Sequence, residues 1–299
     1  MVKTNSLKAW LLAARPKTLT GAATPVIVGL AAAFAEMHGN YRTPFNWIPA
    51  TLCLLFALIM QIDANFINDF YDFVKGTDRE DRLGPERACA QGWVTLGAMK
   101  HAIATATVLG CICGLPLVYY GGLEMIAVGV LCVVFCFLYT TCLSYMGLGD
   151  LLVLVFFGLV PVGATYYIQI HSLSWSIVTI ALAVGIVIDT LLIVNNYRDI
   201  EQDRKSGKNT IITRLGKKNG QLLYLACGVL GTAIALASLW IWGEFRWTQL
   251  LLSLYLLLHI TTWQKMVKID HGKELNKVLG ATARNMFVFG ILLAIAVLA

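Results

Sequence analysis

An all-α, polytopic membrane protein of about nine transmembrane helices is the fold class this sequence predicts, and three observations predict it. The chain is 58% hydrophobic. Only 13% of its residues are charged, against about 25% in a soluble domain. Apolar runs of roughly 20 residues recur from one end to the other, each long enough to cross a hydrocarbon core about 30 Å thick. No polar stretch between them is long enough to bury a core of its own. The whole of 1–299 therefore reads as a single transmembrane domain.

The elements follow in order. A basic leader, with Lys3, Lys8, Arg15 and Lys17, precedes a run from Thr18 to Ala35 that lacks a clear cleavage site and so reads as the first span, 18–36, rather than a removable signal. The second span, 46–68, ends in an acidic stretch. The third and fourth, 98–119 and 122–143, are separated only by Tyr120, Gly121 and Gly122. The fifth, 149–171, opens at Asp150. The sixth, 175–197, ends in a second acidic stretch, and 220–242, 247–266 and 280–298 complete the set. Seven of the eight cysteines lie inside the apolar runs, Cys89 alone sits in a polar loop, and no pair has zinc-like or redox spacing. They read as small packing residues.

Lysine and arginine set the orientation. With a cytoplasmic N-terminus, the leader and the loops after spans two, six and eight share one side and carry nearly all the basic residues. The opposite side receives only Arg42 and Arg246. The N-terminus is therefore expected in the cytoplasm and the C-terminus outside. Both acidic stretches then lie at the cytoplasmic face, at similar depth. Spans 1–4 and 5–8 each place an acidic stretch after their second helix, a loose parallel between halves.

The first stretch runs Asn65-Phe66-Ile67-Asn68-Asp69-Phe70-Tyr71-Asp72-Phe73-Val74-Lys75-Gly76-Thr77-Asp78, and the second Asn195-Asn196-Tyr197-Arg198-Asp199-Ile200-Glu201-Gln202-Asp203-Arg204. A carboxylate near a membrane is costly unless it has a partner or a task. If the second helix continues to about Lys75, then Asn65, Asn68, Asp69 and Asp72 fall three and four apart on one face. Asn195, Asp199 and Asp203 repeat every four residues in the same way. Any one aspartate is explained as a solvated helix-end charge paired to a neighbour such as Arg198 or Lys75. Solvated ends do not need asparagine and aspartate in register on two helices.

Oxygen-rich stripes suit hard cations, and magnesium takes a few carboxylates, several waters and phosphate oxygens. A diphosphate bridging two magnesium ions accounts for carboxylates arriving in two groups. Asn68, Asp69, Asp72, Asp199 and Asp203 are accordingly the expected metal ligands, and the four aspartates among them the expected catalytic residues. The loops that follow, about 73–97 and 198–219, mix glycine with basic residues and read as caps. Glycine permits close backbone approach, and lysine and arginine hold phosphate oxygens. Lys75, Arg198 and Lys208 are candidate diphosphate contacts. Asn65 and Asn195 share the polar faces.

These residues resemble the Asn-Asp-x-x-Asp and Asp-x-x-x-Asp signatures of the UbiA superfamily of intramembrane prenyltransferases. The second signature is Asp199 and Asp203 here. Arg15-Pro16-Lys17-Thr18-Leu19, the stretch from Asn68 to Asp78, Gly84-Pro85, Tyr139-Thr140, Gly147-Leu148-Gly149-Asp150, Phe156-Phe157-Gly158, Gly207-Lys208-Asn209-Thr210 and Arg214-Leu215-Gly216 are similar to the superfamily's 1,4-dihydroxy-2-naphthoate polyprenyltransferase branch, in menaquinone synthesis. The resemblance covers nearly the whole chain in order. It departs from the commonest superfamily pattern at Gly76, where a third aspartate is usual. Asp78 takes that place, as in the branch.

What the resemblance implies is nine helices around a central cavity, two cytoplasmic caps, a lateral opening for the prenyl tail, and a bacterial cytoplasmic membrane. It implies Mg2+ as cofactor, a polyprenyl diphosphate donor, a dihydroxynaphthoate acceptor whose carboxylate is replaced with loss of carbon dioxide, the lipid bilayer as surroundings, and no nucleic acid. Asp78, Tyr139 and Asp150 join the expected substrate-binding residues on the branch pattern. Arg15 or Lys17 would receive the acceptor carboxylate. Tyr71, Tyr139, Phe156 and Tyr197 are candidates to face an allyl cation. Asp63 and Asp189 lie deeper in their spans, paired or held neutral, and His101, His171 and His259 form no cluster. Two other readings stand beside this one: a prenyltransferase for 4-hydroxybenzoate, protohaem or a chlorophyll precursor, and a transporter. A transporter would place its carboxylates near the bilayer midplane at broken helices, not at helix ends on one side.

Overall fold

The structure, a computed structural model, describes residues 2–38, 44–76, 82–243 and 246–299. They form twelve α-helices, eleven of which build nine candidate membrane spans. The helices are α1 (Leu7–Ala14), α2 (Leu19–Glu36), α3 (Trp47–Val74), α4 (Leu96–Gly121), α5 (Glu124–Leu138), α6 (Gly149–Leu154), α7 (Val160–Ile170), α8 (Trp175–Arg198), α9 (Ile200–Lys205), α10 (Ile211–Trp242), α11 (Leu252–Ile269) and α12 (Leu275–Leu298). π-helical turns at Tyr139–Leu143 and Val155–Leu159 extend α5 and join α6 to α7.

Each predicted span has its helix, and the differences lie at the ends. Polar residues just outside the apolar runs set several starts: the side chains of Ser6, Asn46, Thr95, Ser174 and Thr210 accept bonds from the first free backbone N–H groups of α1, α3, α4, α8 and α10, the donors a helix cannot satisfy internally. Thr210 starts α10 ahead of the predicted 220, but the helix breaks at Gly216, with φ 77° and ψ 173°, so its long apolar part begins close to the predicted position. The α3 helix runs on to Val74, as the one-face reading of the first stretch requires. The first span gains a separate helix, α1, which ends where Arg15 takes a left-handed conformation with φ 50°.

The window of apolar residues in α8 is 72% buried and that of the α5 span only 6%. The sixth span is thus the axis of the bundle and the fourth its outer wall. The largest buried cluster gathers Val28, Val162, Ile180, Val184, Val187, Tyr255, Phe289 and Leu293 around that axis. A second cluster, with Ala9, Phe66, Phe70, Val94 and Met99, seats α1 and the segment after α3 against α3 and α4. A third, with Tyr197, Ile200, Ile212, Met266 and Leu275, seats α9 on the ends of α10 to α12. The two caps are therefore packed onto separate halves of the bundle.

Candidate active site

Two joined chambers lie between those halves. The larger is a cavity of about 1070 Å³, lined chiefly by apolar side chains of α2 to α8 and α12, with Arg15, Lys17 and Glu86 as its charged residues. The smaller is polar and is lined by Asp72, Asp199, Asp203, Arg82, Arg87 and Lys208, with Asn195, Asn196, Gln202, Lys205 and Ser206. Asn195 lines both, so the chambers meet at the end of α8.

The first arm is the last turn and a half of α3. Asn68 faces the large cavity and its Oδ1 accepts from the Thr140 hydroxyl at 3.1 Å. Asp72, one turn on, faces the polar chamber and pairs with Arg87 at 3.0 Å, both side chains 8% exposed. Lys208, Arg82, Arg15 and Lys75 add positive field around Asp72.

Asp69 and Asn65 point elsewhere. Both Asp69 oxygens accept backbone N–H groups, from Ala88 and Cys89 at 2.9 Å each, and Arg15 stands 3.8 Å away. This carboxylate anchors the first cap instead of facing either chamber. Asn65 donates to the Ala14 carbonyl and the Thr18 hydroxyl, both at 2.9 Å, and so fixes the break between α1 and α2. The break is what turns Arg15 and Lys17 toward the cavity. Four residues three and four apart span more than one face, and only Asn68 and Asp72 line the chambers.

The second arm bends. Asp199 ends α8 with φ −94° and ψ 8°, and α9 continues in a new direction. The bonds from Asp199 N to Asn195 O (3.1 Å) and Asp203 N to Asp199 O (2.8 Å) survive the bend, so the spacing of four still gathers Asn195, Asp199 and Asp203 at one chamber. Burial pushes the Asp203 carboxyl up to about 6, against the opposing pull of Lys208.

Arg198 sits beneath this arm with its side chain 1% exposed. It grips both oxygens of Asp199 at 2.7 and 2.5 Å, and donates to Asn195 Oδ1 at 2.7 Å and Asn276 Oδ1 at 2.8 Å. It is a strut, with its donors engaged, rather than an open diphosphate contact. Asn276, which begins the last span, donates on to the Leu83 carbonyl at 2.8 Å. A Cβ on Gly84 would stand 2.8 Å from the Arg198 guanidinium, so only glycine lets the first cap approach so closely.

Of the remaining expected residues, Tyr139 and Phe156 line the large cavity, with Phe156 stacked at a tilt on Phe135 at 5.0 Å. Tyr71 and Tyr197 line neither chamber, and Tyr197 instead donates to Asp270 at 2.8 Å. Lys75 donates to the Thr141 carbonyl at 2.7 Å and lines neither chamber. Asp150 stands behind the wall, its Oδ1 buried without a hydrogen-bond partner. Asp63 accepts from the Thr107 hydroxyl at 2.7 Å, while Asp189 keeps a buried, unpartnered oxygen. Asp78 lies outside the described residues. Sequence reasoning named Tyr139 but did not find Arg87, Asn276 or Tyr145 as parts of this arrangement. Tyr139-Thr140 and Gly147-Leu148-Gly149-Asp150 marked the two ends of the stretch 139–150, but nothing pointed to Tyr145 between them.

The donors fit magnesium. Among the described residues no three histidine, cysteine or acidic side chains form a ready cage. The polar chamber instead offers carboxylate and amide oxygens on two facing arms, with cations between them. That is the donor set of an ion that keeps its waters and shares a phosphate-bearing ligand.

Comparison with known proteins agrees with this architecture. Residues 22–291 match the model of the UbiA prenyltransferase family. The 1,4-dihydroxy-2-naphthoate octaprenyltransferase of Escherichia coli (strain K12) is 38% identical over 252 residues, 79% of this chain and 80% of that protein. The protein of the same name from Mycobacterium tuberculosis is 36% identical over 242 residues, again 79% and 80% of the two chains. Human UbiA prenyltransferase domain-containing protein 1 is 30% identical over 236 residues, 72% of this chain and 63% of that one. Among solved structures, a UbiA homologue from Aeropyrum pernix K1 superposes with a TM-score of 0.67, covering 92% of this chain and 96% of its own, at 17% identity. One from Archaeoglobus fulgidus, bound to GPP and Mg2+, gives 0.65 over 97% and 99%, at 15% identity. At those identities the structures establish the shared fold alone.

Proposed function

This chain belongs to the UbiA prenyltransferase family, and from that premise we propose that it transfers a polyprenyl group from a polyprenyl diphosphate to 1,4-dihydroxy-2-naphthoate, giving demethylmenaquinol. The observation that carries the reading is the meeting of the two arms. Asn68 and Asp72 from α3, and Asn195, Asp199 and Asp203 from α8 and α9, converge where an apolar cavity opens into a charged chamber. That junction suits a molecule with a long apolar tail and a diphosphate head. Relatives of the same name at 36–38% identity support the naphthoate acceptor.

Asn68, Asp72, Asp199 and Asp203 would hold magnesium together with the diphosphate. When bound, magnesium neutralises charge on the departing diphosphate. Lys208, Arg82 and Arg87 line the same chamber and can meet the outer phosphate oxygens. Tyr139 and Phe156 offer π faces to the allylic carbon as its bond to oxygen breaks, and the apolar wall keeps competing water away. The tail lies along the cavity. Leu115, Ile126 and Val130 both line that cavity and are 66%, 48% and 56% exposed, so the wall formed by α4 and α5 opens toward lipid.

Arg15 and Lys17 lie at the cavity wall where an acceptor carboxylate would bind. In this transfer the new carbon–carbon bond replaces the bond to the carboxylate, which leaves as carbon dioxide, and diphosphate leaves the donor. No ring proton is lost, so the site needs no base at that carbon. Among the described residues, Glu86 is the one carboxylate lining the large cavity and no histidine lines it. The basic leader and loops support a cytoplasmic N-terminus, with the polar chamber facing the cytoplasm of a bacterial cell.

Purified protein given a polyprenyl diphosphate, Mg2+ and dihydroxynaphthoate should release diphosphate and carbon dioxide in equal amounts, and Asp72→Asn should abolish turnover. Full activity in that variant, or under excess chelator, would defeat the metal–diphosphate reading. Preference for 4-hydroxybenzoate in a mixture of acceptors would defeat the acceptor assignment.

A further inference from the structure

The segment 139–148 belongs to neither acidic stretch, yet it touches both arms. On the first side, Lys75 Nζ donates to the Thr141 carbonyl at 2.7 Å, and the Thr140 hydroxyl donates to Asn68 at 3.1 Å. On the second side, Asn209 N donates to the Tyr145 carbonyl at 3.1 Å, and Arg214 reaches the Met146 carbonyl at 3.4 Å. Gly147, with φ 80°, lies so near the second cap that a Cβ there would stand 2.4 Å from the Asn209 carbonyl oxygen. The segment is pressed between the caps.

The Tyr145 ring is in reach of two cations. Lys75 Nζ is 4.6 Å from its centroid and Lys208 Nζ is 5.1 Å from it. Both fall within the roughly 6 Å over which a ring face attracts an ammonium group. One lysine follows the first motif and the other follows the second. Two ammonium groups repel, and the ring offsets that repulsion by attracting each. Lys208 lines the polar chamber, and the charges of both lysines reach Asp72. The Tyr145 hydroxyl is buried with no hydrogen-bond partner, so the ring, not the hydroxyl, makes these contacts.

We infer that Tyr145 is a positioning residue for the diphosphate head: its ring gathers Lys75 and Lys208, one from each arm, and so fixes Lys208 in the polar chamber. This inference rests on the diphosphate site proposed above. It assigns Tyr145 to binding of the donor's head group and leaves the acceptor and the bond-breaking step to other residues.

The test measures binding of inorganic diphosphate with Mg2+ to the full-length protein in detergent, alongside donor and acceptor kinetics. Tyr145→Leu should weaken diphosphate binding about tenfold and raise the donor KM similarly, with kcat and the acceptor KM within about twofold of the parent. Tyr145→Phe, which keeps the ring, should restore parental values. In the Lys208→Met background Tyr145→Leu should add little, because the two residues act through one another. Tyr145→Leu with parental diphosphate affinity would overturn the inference. So would Tyr145→Phe as impaired as Tyr145→Leu, or fully additive losses in the double variant. If Tyr145→Leu does not stay monodisperse, Tyr145→Trp gives the same decision: a retained ring must retain binding. Failure of the parent protein to bind diphosphate at all would instead remove the site itself.

Discussion

Replacing Arg198 by lysine separates a strut from a phosphate contact. A lysine keeps the charge but offers one ammonium point in place of a planar fork. If Arg198 touched the diphosphate directly, Arg198→Lys would keep much of the binding. In the structure its fork serves Asp199, Asn195 and Asn276 at once, through four bonds of 2.5 to 2.8 Å. An ammonium group at the end of a lysine can satisfy only part of that set. A hydrogen bond to a charged group contributes about 1.5–3 kcal/mol, and a lysine forfeits at least one of them. The Asp199 side chain is only 16% exposed, so water relieves little of that loss, and the upper end, about 3 kcal/mol, is the fitting value. At about 1.4 kcal/mol per factor of ten, full transmission to the polar chamber is a loss of roughly 100-fold in diphosphate affinity. Calorimetric titration of inorganic diphosphate with Mg2+, paired with a thermal melt, reads both consequences. The expected outcome is weaker binding together with a lower melting temperature, since the link through Asn276 to the Leu83 carbonyl is also disturbed. Parental binding and melting in Arg198→Lys would refute the strut.

The other predictions follow from residues nearby. Asp69→Asn keeps one carbonyl oxygen for the two backbone donors of the first cap and should cost about 1–3 kcal/mol there, seen as faster proteolysis within 82–95, with less loss of Mg2+ binding than Asp72→Asn gives; equal loss in both would return Asp69 to the metal. Asp270 is held below the ordinary carboxylate range, chiefly by the Tyr197 hydroxyl, so its stabilising effect is present above that range and fades as pH falls through the lowered value. Asp270→Asn should therefore lower the melting temperature near neutral pH and narrow the gap as the solution is acidified, and a gap that widens instead would contradict the assignment. Gly129 lines the cavity, with nothing within 4 Å of a Cβ placed on it; Gly129→Phe should raise KM for a long polyprenyl donor several-fold while sparing a ten-carbon one, and equal effects on both would show that the tail runs elsewhere. Mg2+ and inorganic diphosphate should each raise the other's affinity by the same factor, and independent binding isotherms would contradict a shared site.

The spans were legible because a membrane imposes one rule on every helix, an apolar run of fixed length. The ends were less so, because polar caps such as Thr210 decide them and nothing in apolar periodicity reports a cap. The two arms were legible as Asn68 with Asp72 and as Asn195, Asp199 and Asp203, since a spacing of four survives even the bend at Asp199. What spacing did not reveal is which way each carboxylate turns. Asp69 is three residues from Asp72 and one from Asn68, yet it faces backbone donors at Ala88 and Cys89. Those donors come from a loop whose path is set by tertiary packing of Ala88, Cys89 and Val94 against α3 and α4. Arg87, Asn276 and Tyr145 act across long sequence separations, and a single sequence holds no record of such pairs.

The charge arrangement explains why metal and diphosphate should bind together. A cluster of carboxylates facing a low-dielectric cavity would repel itself and destabilise the fold. Here each arm carries its own counter-charge: Arg87 stands on Asp72 and Arg198 on Asp199, while Lys208 acts on Asp203. The protein is thus compensated before any ligand arrives. A cation entering alone must displace Arg87 from Asp72 and leave that guanidinium without its carboxylate. An anion entering alone must draw Arg87 and Lys208 from the carboxylates and leave those unpaired. Were both to enter, Asp72 and Asp203 would hold the metal in place of arginine and lysine, and those cations would be available to phosphate oxygens, so that no buried charge would be left alone. Such an exchange would confine high affinity to the pair, which the coupled titration of Mg2+ and diphosphate tests. Arg198 is the exception, because its four bonds are made within the protein and serve to hold the second arm still while its neighbours change partners.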